Sequence, residues 1–463
     1  MKQGVDVLVV GARCAGAPLA NYLARAGKRV LAIDADAMPS DQPMSTHIIG
    51  PYGVSVLEEL GIADKIRAFA PPIMLFRNGL DDVVADLDFS PGLEALCPRR
   101  PELDMLLVEE ARKAGAEVRL ETKLVDIVRE GDRVVGAIVE HAGKKEEIRC
   151  GVLVGADGRN SKVGRLVGAK EYRDYEAPRS IYWAYWKKPS WYGDDPRYRG
   201  AASIIHVGDD LRAVFPVNTD QLLIAAAVPK ARASEFTGRM RERYLEIVRG
   251  WEYSAPLCEG EPISKVINHA KGRFFFRESA GKGWALVGDA GIFKDYTAGL
   301  GISDAFRDAR ALSKAILEDT DEALVQYWRD RDVASLELFE FAKDMGIPGY
   351  NNPLNRVVFE MMRKRKDLVL RIRGVHERTL SPFAAFKPQE IIGWTLKELF
   401  KLRFGVIGPF LAAGKRGQMV AKDLELWKAL AKEAADAARA AKERSVQTRE
   451  RPVRARSEVS DTP

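Results

Sequence analysis

The stretch that decides the fold lies near the N-terminus and reads VDVLVVGARCAGAPLANYLARAGKRVLAIDAD, residues 5–36. An apolar run over residues 5–10 leads into a glycine turn. An Ala-rich segment follows over residues 16–26, and a second apolar run ends in Asp34. Continuous apolar runs are typical of parallel strands buried on both faces, and the segment between them has the pattern of a helix. The stretch therefore predicts a βαβ unit of the kind that binds nucleotides.

The turn itself, GARCAG, departs from the glycine pattern of such units. Gly11 permits a sharp strand-to-helix turn, and Gly16 allows the helix to pack closely on the strand. The middle glycine is replaced by Arg13, whose guanidinium we expect to lie outward beside the phosphates. Asp34 closes the second strand, where an acid accepts hydrogen bonds from a ribose. The alternative for this motif alone is a βα turn in another α/β fold.

The composition is that of an ordinary globular protein, with 463 residues, 46% hydrophobic and 30% charged side chains and a net charge of +6. No apolar run is long enough for a membrane-spanning helix, and the start of the chain leaves no room for a signal peptide. Four scattered cysteines form no Cys-x-x-Cys pair, and five histidines show no metal-ligand spacing. We therefore expect no metal site, a reducing compartment and a cytoplasmic location.

Two later segments also place a glycine-rich turn after a buried strand. The first, GVLVGADGRNS, carries Asp157. The second, WALVGDAGIFKDYTAGLGISDA, carries Gly288 and Asp289 after the strand, and Gly299 and Gly301 at the start of a helix. In this order and at this spacing, the three motifs resemble those of the FAD-dependent monooxygenases of the para-hydroxybenzoate hydroxylase fold. That superfamily also includes geranylgeranyl reductases.

The resemblance covers residues 1–345 and implies an α/β fold. Its parts are a discontinuous Rossmann-like FAD-binding domain, an inserted antiparallel β-sheet substrate domain and a helical C-terminal region. The expected boundaries are 1–75, 101–168 and 277–345 for the three parts of the FAD-binding domain, 76–100 for a connecting segment, 169–276 for the substrate-binding sheet, 346–443 for the helical region and 444–463 for a disordered tail.

The resemblance also assigns roles at the cofactor. Asp157 would lie near the FAD pyrophosphate, and Asp289 would hydrogen-bond the ribityl or pyrophosphate portion. The helix that begins around Ile302 would point its N-terminus at the flavin and stabilise its anionic reduced form. Arg100 would contact the flavin side chain, the alternative being a surface charge at a helix N-terminus. The residues expected to bind FAD are Gly11, Ala12, Arg13, Ala15, Gly16, Asp34, Arg100, Asp157, Gly288, Asp289, Gly299, Gly301 and Ile302.

The third motif departs from the superfamily pattern beside the flavin ring. Tyr296 stands where a proline is usual, and Ala298 where a glycine is usual. These changes leave the type of oxygen chemistry open. His47, in a loop that approaches the flavin in related proteins, is a second flavin-proximal candidate, the alternative being a polar surface residue. No catalytic residue is assigned with certainty.

Substrate contacts are expected from the inserted sheet, whose inner face lines the substrate cavity in this fold. In SIYWAYW the alternation puts Trp183 and Tyr185 on one face and the residues between them on the other. Arg212, Phe215 and Pro216 lie on a strand that could reach the same cavity. Alternatively, both faces pack between the sheet and helices.

The function that the resemblance implies is that of an FAD-dependent oxidoreductase. It would be a monooxygenase that inserts one oxygen atom from O₂ into a hydrophobic aromatic or olefinic small molecule through a flavin C4a-hydroperoxide. The alternatives are a geranylgeranyl reductase-like enzyme that reduces polyprenyl double bonds, and a non-catalytic flavoprotein with a binding or redox-sensing role. Since no second glycine-rich βαβ unit is present, NAD(P)H is expected to bind transiently as reductant, unless a separate reductase delivers the electrons.

The C-terminal region is basic, with 15 Lys and Arg against 7 Asp and Glu over residues 350–425. Its segment EIIGWTLKELFKLRFGVIGPFL spaces aromatic side chains among cations, which is typical of a segment that lies on an anionic membrane. Peripheral contact with the inner face of a membrane is therefore one hypothesis, and a helical cap on the catalytic domain is the other. No motif supports binding to nucleic acid.

Overall fold

The computed structural model describes residues 4–42, 45–269 and 272–450. The strands of these residues are β1 (Val5–Val10), β2 (Val30–Ile33), β3 (Leu75–Leu80), β4 (Val83–Asp88), β5 (Glu117–Arg119), β6 (Thr122–Glu130), β7 (Arg133–His141), β8 (Lys144–Gly155), β9 (Glu171–Glu176), β10 (Arg179–Lys187), β11 (Ala201–Val207), β12 (Asp210–Val217), β13 (Gln221–Pro229), β14 (Ile267–His269), β15 (Arg273–Arg277), β16 (Ala280–Gly281), β17 (Trp284–Leu286) and β18 (Ile292–Phe293).

The α-helices of the same residues are α1 (Gly16–Arg25), α2 (Pro51–Leu60), α3 (Ala63–Arg67), α4 (Arg100–Lys113), α5 (Lys162–Val167), α6 (Met240–Arg249), α7 (Gly301–Leu317), α8 (Asp321–Gly346), α9 (Pro353–Lys364), α10 (Lys366–His376), α11 (Pro388–Phe400) and α12 (Ile407–Glu450).

The first large sheet is built around β1, with strand order β16-β17-β8-β1-β2-β5. The five strands from β17 to β5 run parallel, and the apolar runs of β1 and β2 are buried between helices, as their composition predicts. Strand β17 comes from the third motif and pairs with β8 from the second. The prediction of a discontinuous FAD-binding domain is confirmed by this pairing.

The second large sheet has the order β14-β10-β13-β12-β11-β3-β4, and all its pairs are antiparallel except β11 with β3. Strands β3 and β4 come from the segment 76–100 and the residue just before it. That segment was expected only to connect, and the structure instead makes it an edge of the second sheet. The alternating burial along β4 fits a strand with one face on the core.

The segment from Lys230 to Arg249 is not one continuous helix. A 3-10 helix, Lys230–Phe236, comes first, and α6 begins only at Met240. Gly238 between them has φ +71°, a left-handed conformation that interrupts an α-helix. Helix α6 covers the outer face of the second sheet, where Tyr182 and Trp186 are buried.

The C-terminal region is helical, as predicted, and α12 packs along α8. Helix α12 starts at Ile407, before the Ala-rich stretch that begins at about residue 421. Pro409 does not prevent this start, because proline is tolerated in the first turn of a helix. It also runs on to Glu450, so residues 444–450, predicted to be disordered, are helical. The rest of the predicted tail, residues 451–463, lies outside the described residues.

Candidate active site

A cavity of about 520 Å³ opens where the carboxyl ends of the parallel strands meet the inner face of the second sheet. In open α/β sheets this edge is where ligands bind. All three glycine motifs contribute to the lining, and the inserted sheet closes one side. The predicted cofactor residues that line it are Gly11, Arg13, Ala15, Asp34, Arg100, Asp157, Gly288, Asp289, Gly299, Gly301 and Ile302.

The first motif forms a tight cradle in which side chains are excluded. Gly11 has φ +99°, and a Cβ added there would overlap the carbonyl oxygen of Ala156. A Cβ on Gly16 would overlap the carbonyl oxygen of Gly11. Gly16 and Ala12 are buried behind the cavity wall and do not line it. They therefore shape the turn, and the backbone of Gly11 is left bare toward the cavity, which fits the close approach of a pyrophosphate.

Arg13 is held by two acids and a serine elsewhere in the chain. Its Nη1 donates to Asp104 Oδ2 at 3.0 Å, and its Nη2 donates to Asp36 Oδ2 at 2.8 Å and to Ser40 Oγ at 2.7 Å. Asp104 lies on α4 and is buried. It also accepts from Arg100 Nε at 3.0 Å and Arg100 Nη2 at 2.9 Å. One buried carboxylate thus fixes the two arginines that border the cavity.

Asp34 and Asp157 both use their carboxylates to hold a turn. Asp34 Oδ2 accepts from the backbone N–H of Ala12 at 2.9 Å, and its Oδ1 from that of Asp36 at 3.1 Å. Asp157 accepts from the Ser161 hydroxyl at 2.5 Å and from the first amides of α5. Both carboxylates also border the cavity. Contact of either with a cofactor stays a prediction.

The third motif brings the N-terminus of α7 to the cavity through Gly299, Gly301 and Ile302. The first amides of a helix have no partner within it and carry partial positive charge. A Cβ on Gly301 would meet nothing within 4 Å, so the approach to these amides is open. Burial raises the pKa of Asp289, on the neighbouring turn, to about 6, although Lys294 and Arg100 oppose the shift. The geometry suits a ligand that becomes anionic at the end that lies against the start of α7.

A buried charge cluster lies directly behind this helix start. Asp304 Oδ2 lies 2.8 Å from Lys294 Nζ, and Asp304 Oδ1 accepts from Arg378 Nη2 at 2.7 Å. Arg307 Nη1 is 3.4 Å from the same carboxylate. Burial alone would raise the pKa of Asp304, but Arg378 and Lys294 hold it well below its usual range. The cluster carries a net positive charge at one end of the cavity, and Arg378 ties the C-terminal region to it.

His47 is buried and does not line the cavity, although both of its chain neighbours do. Its Nε2 forms a 2.7 Å hydrogen bond with Tyr185 Oη, and the Arg99 guanidinium lies 3.7 Å from the centre of the Tyr185 ring. Burial, with Arg99 and Arg100 nearby, lowers the pKa of His47 well below its usual value. The expected polar surface alternative is therefore wrong. His47 and Tyr185 form a neutral buried pair just outside the wall.

The cavity wall on the second sheet is apolar. Trp183 pairs with Ala225 across β10 and β13, and Ile181 pairs with Ala227, so these side chains share the inner face. Ile181, Trp183, Leu223 and Ala225 line the cavity. Trp183 Nε1 is buried and has no hydrogen-bond partner among the described residues.

The three candidates on β12 do not reach this cavity. Arg212 and Pro216 lie on the opposite face of the sheet, because alternate residues of a strand point to opposite sides. Arg212 Nη2 is 3.6 Å from Asp210 Oδ2. Phe215 is on the inner side but packs in the core beside Phe76, with ring centroids 6.5 Å apart.

Tyr296 lines the cavity, as expected of a flavin-proximal residue, and its Oη donates weakly to Arg179 O at 3.4 Å. Its neighbour Asp295 is buried, and Asp295 Oδ1 accepts from the amide of Thr297 at 3.0 Å and from the Thr297 hydroxyl at 2.5 Å. Burial raises the pKa of Asp295 to about 6, against these hydrogen bonds.

Sequence reasoning missed several lining or supporting residues. Arg159 follows the Asp-Gly pair directly, lines the cavity and lies 5.6 Å from the centre of the Phe293 ring. Its position directly after the Asp-Gly motif was the feature of the sequence that could have identified it as a lining residue. Asp104 gave no signal beyond an i, i+4 spacing from Arg100, which is also typical of a surface ion pair.

The described residues were expected to contain no metal site and no membrane-spanning helix. Among those residues, no group of three His, Cys, Asp or Glu side chains is arranged to hold a metal ion. None of the described helices combines the length and apolar character needed to cross a membrane.

A family model described as "FAD binding domain" matches residues 4–337. Digeranylgeranylglycerophospholipid reductase of Methanosarcina acetivorans is 26% identical over 427 residues, 87% of this chain and 97% of that protein. Menaquinone reductase of Mycobacterium tuberculosis is 27% identical over 342 residues, 70% of this chain and 78% of that protein. The crystal structure of p-nitrophenol 4-monooxygenase from Pseudomonas putida has a TM-score of 0.67 at 20% identity, covering 82% of this chain and all of that one.

Proposed function

The chain belongs to the FAD binding domain family of FAD-dependent oxidoreductases, and on that premise we propose that it reduces carbon–carbon double bonds of an isoprenoid lipid. The proposal is supported by a relative that matches 87% of this chain and 97% of its own length and is named as a digeranylgeranylglycerophospholipid reductase. Bound FAD would supply the hydride. The remaining tasks, which are binding the chain, excluding water and providing a proton, fall to residues of the cavity.

The observation that carries this proposal is the apolar wall of Ile181, Trp183, Leu223 and Ala225. Each of these residues is buried or nearly so, and the wall carries no ionisable side chain. An aliphatic chain would replace water along such a surface with a favourable free energy of about 25 cal/mol per Å². A substrate whose reacting part is polar would leave its own groups without partners there.

The polar end of the cavity would hold the cofactor. The turn at Gly11 and the amides at the start of α7 suit the pyrophosphate and the electron-rich end of the flavin. Lys294 and Arg378 add positive charge around Asp304, which favours an anionic reduced state.

Two neighbouring groups on the loop that precedes α7 would provide the proton needed for reduction. Asp295, with a pKa of about 6, holds a proton on part of the molecules near neutral pH. Tyr296, its neighbour, has a neutral hydroxyl because burial raises its pKa well above the usual value. Both side chains line the cavity on the loop that precedes α7.

A monooxygenase is the second candidate, and one observation favours it. Trp183 lines the cavity, and its buried Nε1 makes no hydrogen bond to the described residues, so its N–H suits a substrate oxygen. Such a donor fits a phenol or a quinone as well as a lipid head group. For either reaction, we propose NADH or NADPH as a transiently bound reductant.

The two reactions separate cleanly in the absence of oxygen. The FAD-loaded protein is reduced with one equivalent of NADPH or NADH under argon and mixed with a geranylgeranylated glycerophospholipid or with menaquinone. The proposal expects flavin reoxidation, together with a product that has gained two hydrogens per double bond. Turnover that needs O₂ and incorporates ¹⁸O from it would support the monooxygenase instead. A flavin that no candidate substrate reoxidises would favour a non-catalytic role.

A matched pair of variants tests the substrate wall. Trp183→Phe removes the indole N–H of a side chain that lines the cavity. Trp186→Phe removes an indole whose N–H donates to Tyr244 Oη at 2.9 Å on the opposite face. We expect Trp183→Phe to change KM for the lipid by several-fold with FAD content intact, since about 1 kcal/mol is a factor of five. Trp186→Phe should lower stability and leave KM unchanged.

A further inference from the structure

The turn between α11 and α12 carries the two most exposed large apolar side chains of the described residues, Phe400 at 87% and Leu402 at 75%. Four neighbours along the chain are also exposed. We call this set the apolar tip, and its members are Leu396, Phe400, Leu402, Phe404, Ile407 and Leu411. Monomeric soluble proteins rarely expose a contiguous apolar patch without using it.

The apolar tip continues an outward-facing stripe of α11. Ile392, Leu396 and Phe400 recur every four residues, and all three are exposed. Trp394 and Glu398, on the other side of the helix, are buried. A helix that packs on a core normally turns its apolar stripe inward. Helix α11 has a second apolar stripe that faces outward and is not needed for packing on the core.

Cations accompany the apolar tip along the chain. The residues Lys397, Lys401, Arg403 and Lys415 lie within or next to the same stretch of chain, and all four are exposed. Glu398 is the one acid in the sequence over residues 396–411, and it is buried. It accepts from Lys401 Nζ at 2.6 Å and from Arg403 Nη1 at 3.1 Å. Over residues 387–415 the sequence holds five Lys and Arg and two Glu.

We propose that the apolar tip docks the protein on the surface of an anionic phospholipid bilayer. The apolar side chains would enter the boundary between headgroups and acyl chains, and the surrounding cations would lie at the lipid phosphates. Protein interfaces are depleted of lysine, whereas this surface is rich in it, so the composition favours lipid over a protein partner. The inference goes beyond the proposed function, since it does not depend on which bond the enzyme reduces.

The test uses the full FAD-loaded chain and co-sedimentation with vesicles. The protein should bind vesicles that contain phosphatidylglycerol, bind pure phosphatidylcholine weakly, and lose most of its binding at high salt. The double variant Phe400→Ser/Leu402→Ser should bind at least about ten-fold more weakly, because two buried apolar side chains are lost. Lys397→Gln/Lys415→Gln should lose about five-fold per cation.

Ile263→Ser is the matched control, because Ile263 is 54% exposed but lies in the inserted region far along the chain from α11. It should bind vesicles as the wild type does. The proposal is overturned if the wild type fails to bind anionic vesicles, or if Phe400→Ser/Leu402→Ser binds them equally well. It is also overturned if the wild type is a dimer that this variant dissociates. Turnover of detergent-solubilised substrate should stay unchanged in the variant, which separates this test from that of the proposed function.

Discussion

Arg13 Nη1 donates a 3.0 Å hydrogen bond to Asp104 Oδ2, across 91 positions of sequence. Arg13 stands where nucleotide-binding turns usually have a glycine. The structure shows why a long cation is tolerated there. Asp104, on α4, accepts a hydrogen bond from the Arg13 guanidinium and holds it against that helix. The same carboxylate also accepts from Arg100.

Asp104→Ala should loosen both arginines at once. Breaking a buried ion pair leaves uncompensated charge, and we expect a loss of about 2–3 kcal/mol in unfolding free energy. Since both arginines border the cavity, FAD affinity should fall by about ten-fold, which is 1.4 kcal/mol. Urea unfolding of the apoprotein and fluorescence titration with FAD measure the two effects.

The control is Asp36→Ala, which removes the exposed partner of Arg13. Exposed ion pairs contribute between about 0 and 1 kcal/mol, so this variant should differ little from the wild type. Equal losses in the two variants would contradict the role given to Asp104.

Gly11→Ala should abolish FAD binding. Gly11 has φ +99°, and its added Cβ would overlap the carbonyl oxygen of Ala156, so the turn must open. Gly115→Ala is a matched control, because Gly115 has φ +101° but no atom within 4 Å of the added Cβ. Both variants carry a left-handed strain of about 1–2 kcal/mol. If Gly11→Ala loses flavin absorbance and Gly115→Ala keeps it, the loss is caused by the overlap at the Gly11 turn and not by backbone strain.

Tyr185→Phe should destabilise the protein without changing FAD affinity. It removes the hydroxyl bonded to His47 Nε2 at 2.7 Å, and His47 Nδ1 already lacks a partner in the described structure. A buried polar group left unsatisfied costs about 1–3 kcal/mol. Tyr175→Phe is the comparison, since Tyr175 Oη is buried with no hydrogen bond, and its loss should be neutral or stabilising. A lower FAD affinity in Tyr185→Phe would place His47 at the cofactor after all.

The βαβ unit and the three motifs could be predicted because their signal is local. Apolar runs and fixed glycines are read within a few residues, and the strands β1, β8 and β17 formed where the motifs put them. Strand β4 has the alternation of a half-buried strand, but no local signal identifies the partner strand of β3 or β4. Strand β3 pairs with β11, from Ala201 onward, and only the folded chain brings them together.

The sequence could not show which face of β10 lines the cavity, for a related reason. Every residue from Arg179 to Trp186 on β10 is buried, so both faces of that strand are apolar. Alternation tells which side chains share a face but not which face meets the cavity. The choice is set by α6, which covers Tyr182 and Trp186 and leaves Trp183 to the inner side.

Asp295 should make the stability of the apoprotein depend on pH. Burial raises its pKa to about 6 in the folded state, from an ordinary value of 3.8. Because the folded state holds the proton more tightly, the group's contribution to stability is fully present below about pH 3.8 and is lost as the pH rises to about 6.

Asp295→Asn keeps an oxygen that can accept from Thr297 but cannot ionise. Its unfolding free energy, relative to the wild type, should therefore grow by about 1–3 kcal/mol between pH 4 and pH 7 and stay constant above that. Asp344, whose pKa burial also raises to about 6, contributes equally in both proteins, so the difference between Asp295→Asn and the wild type isolates Asp295. Urea unfolding at both pH values decides the matter. A constant difference between Asp295→Asn and the wild type would mean that Asp295 is not held protonated. Of the two proton sources proposed on this loop, Tyr296 would then remain.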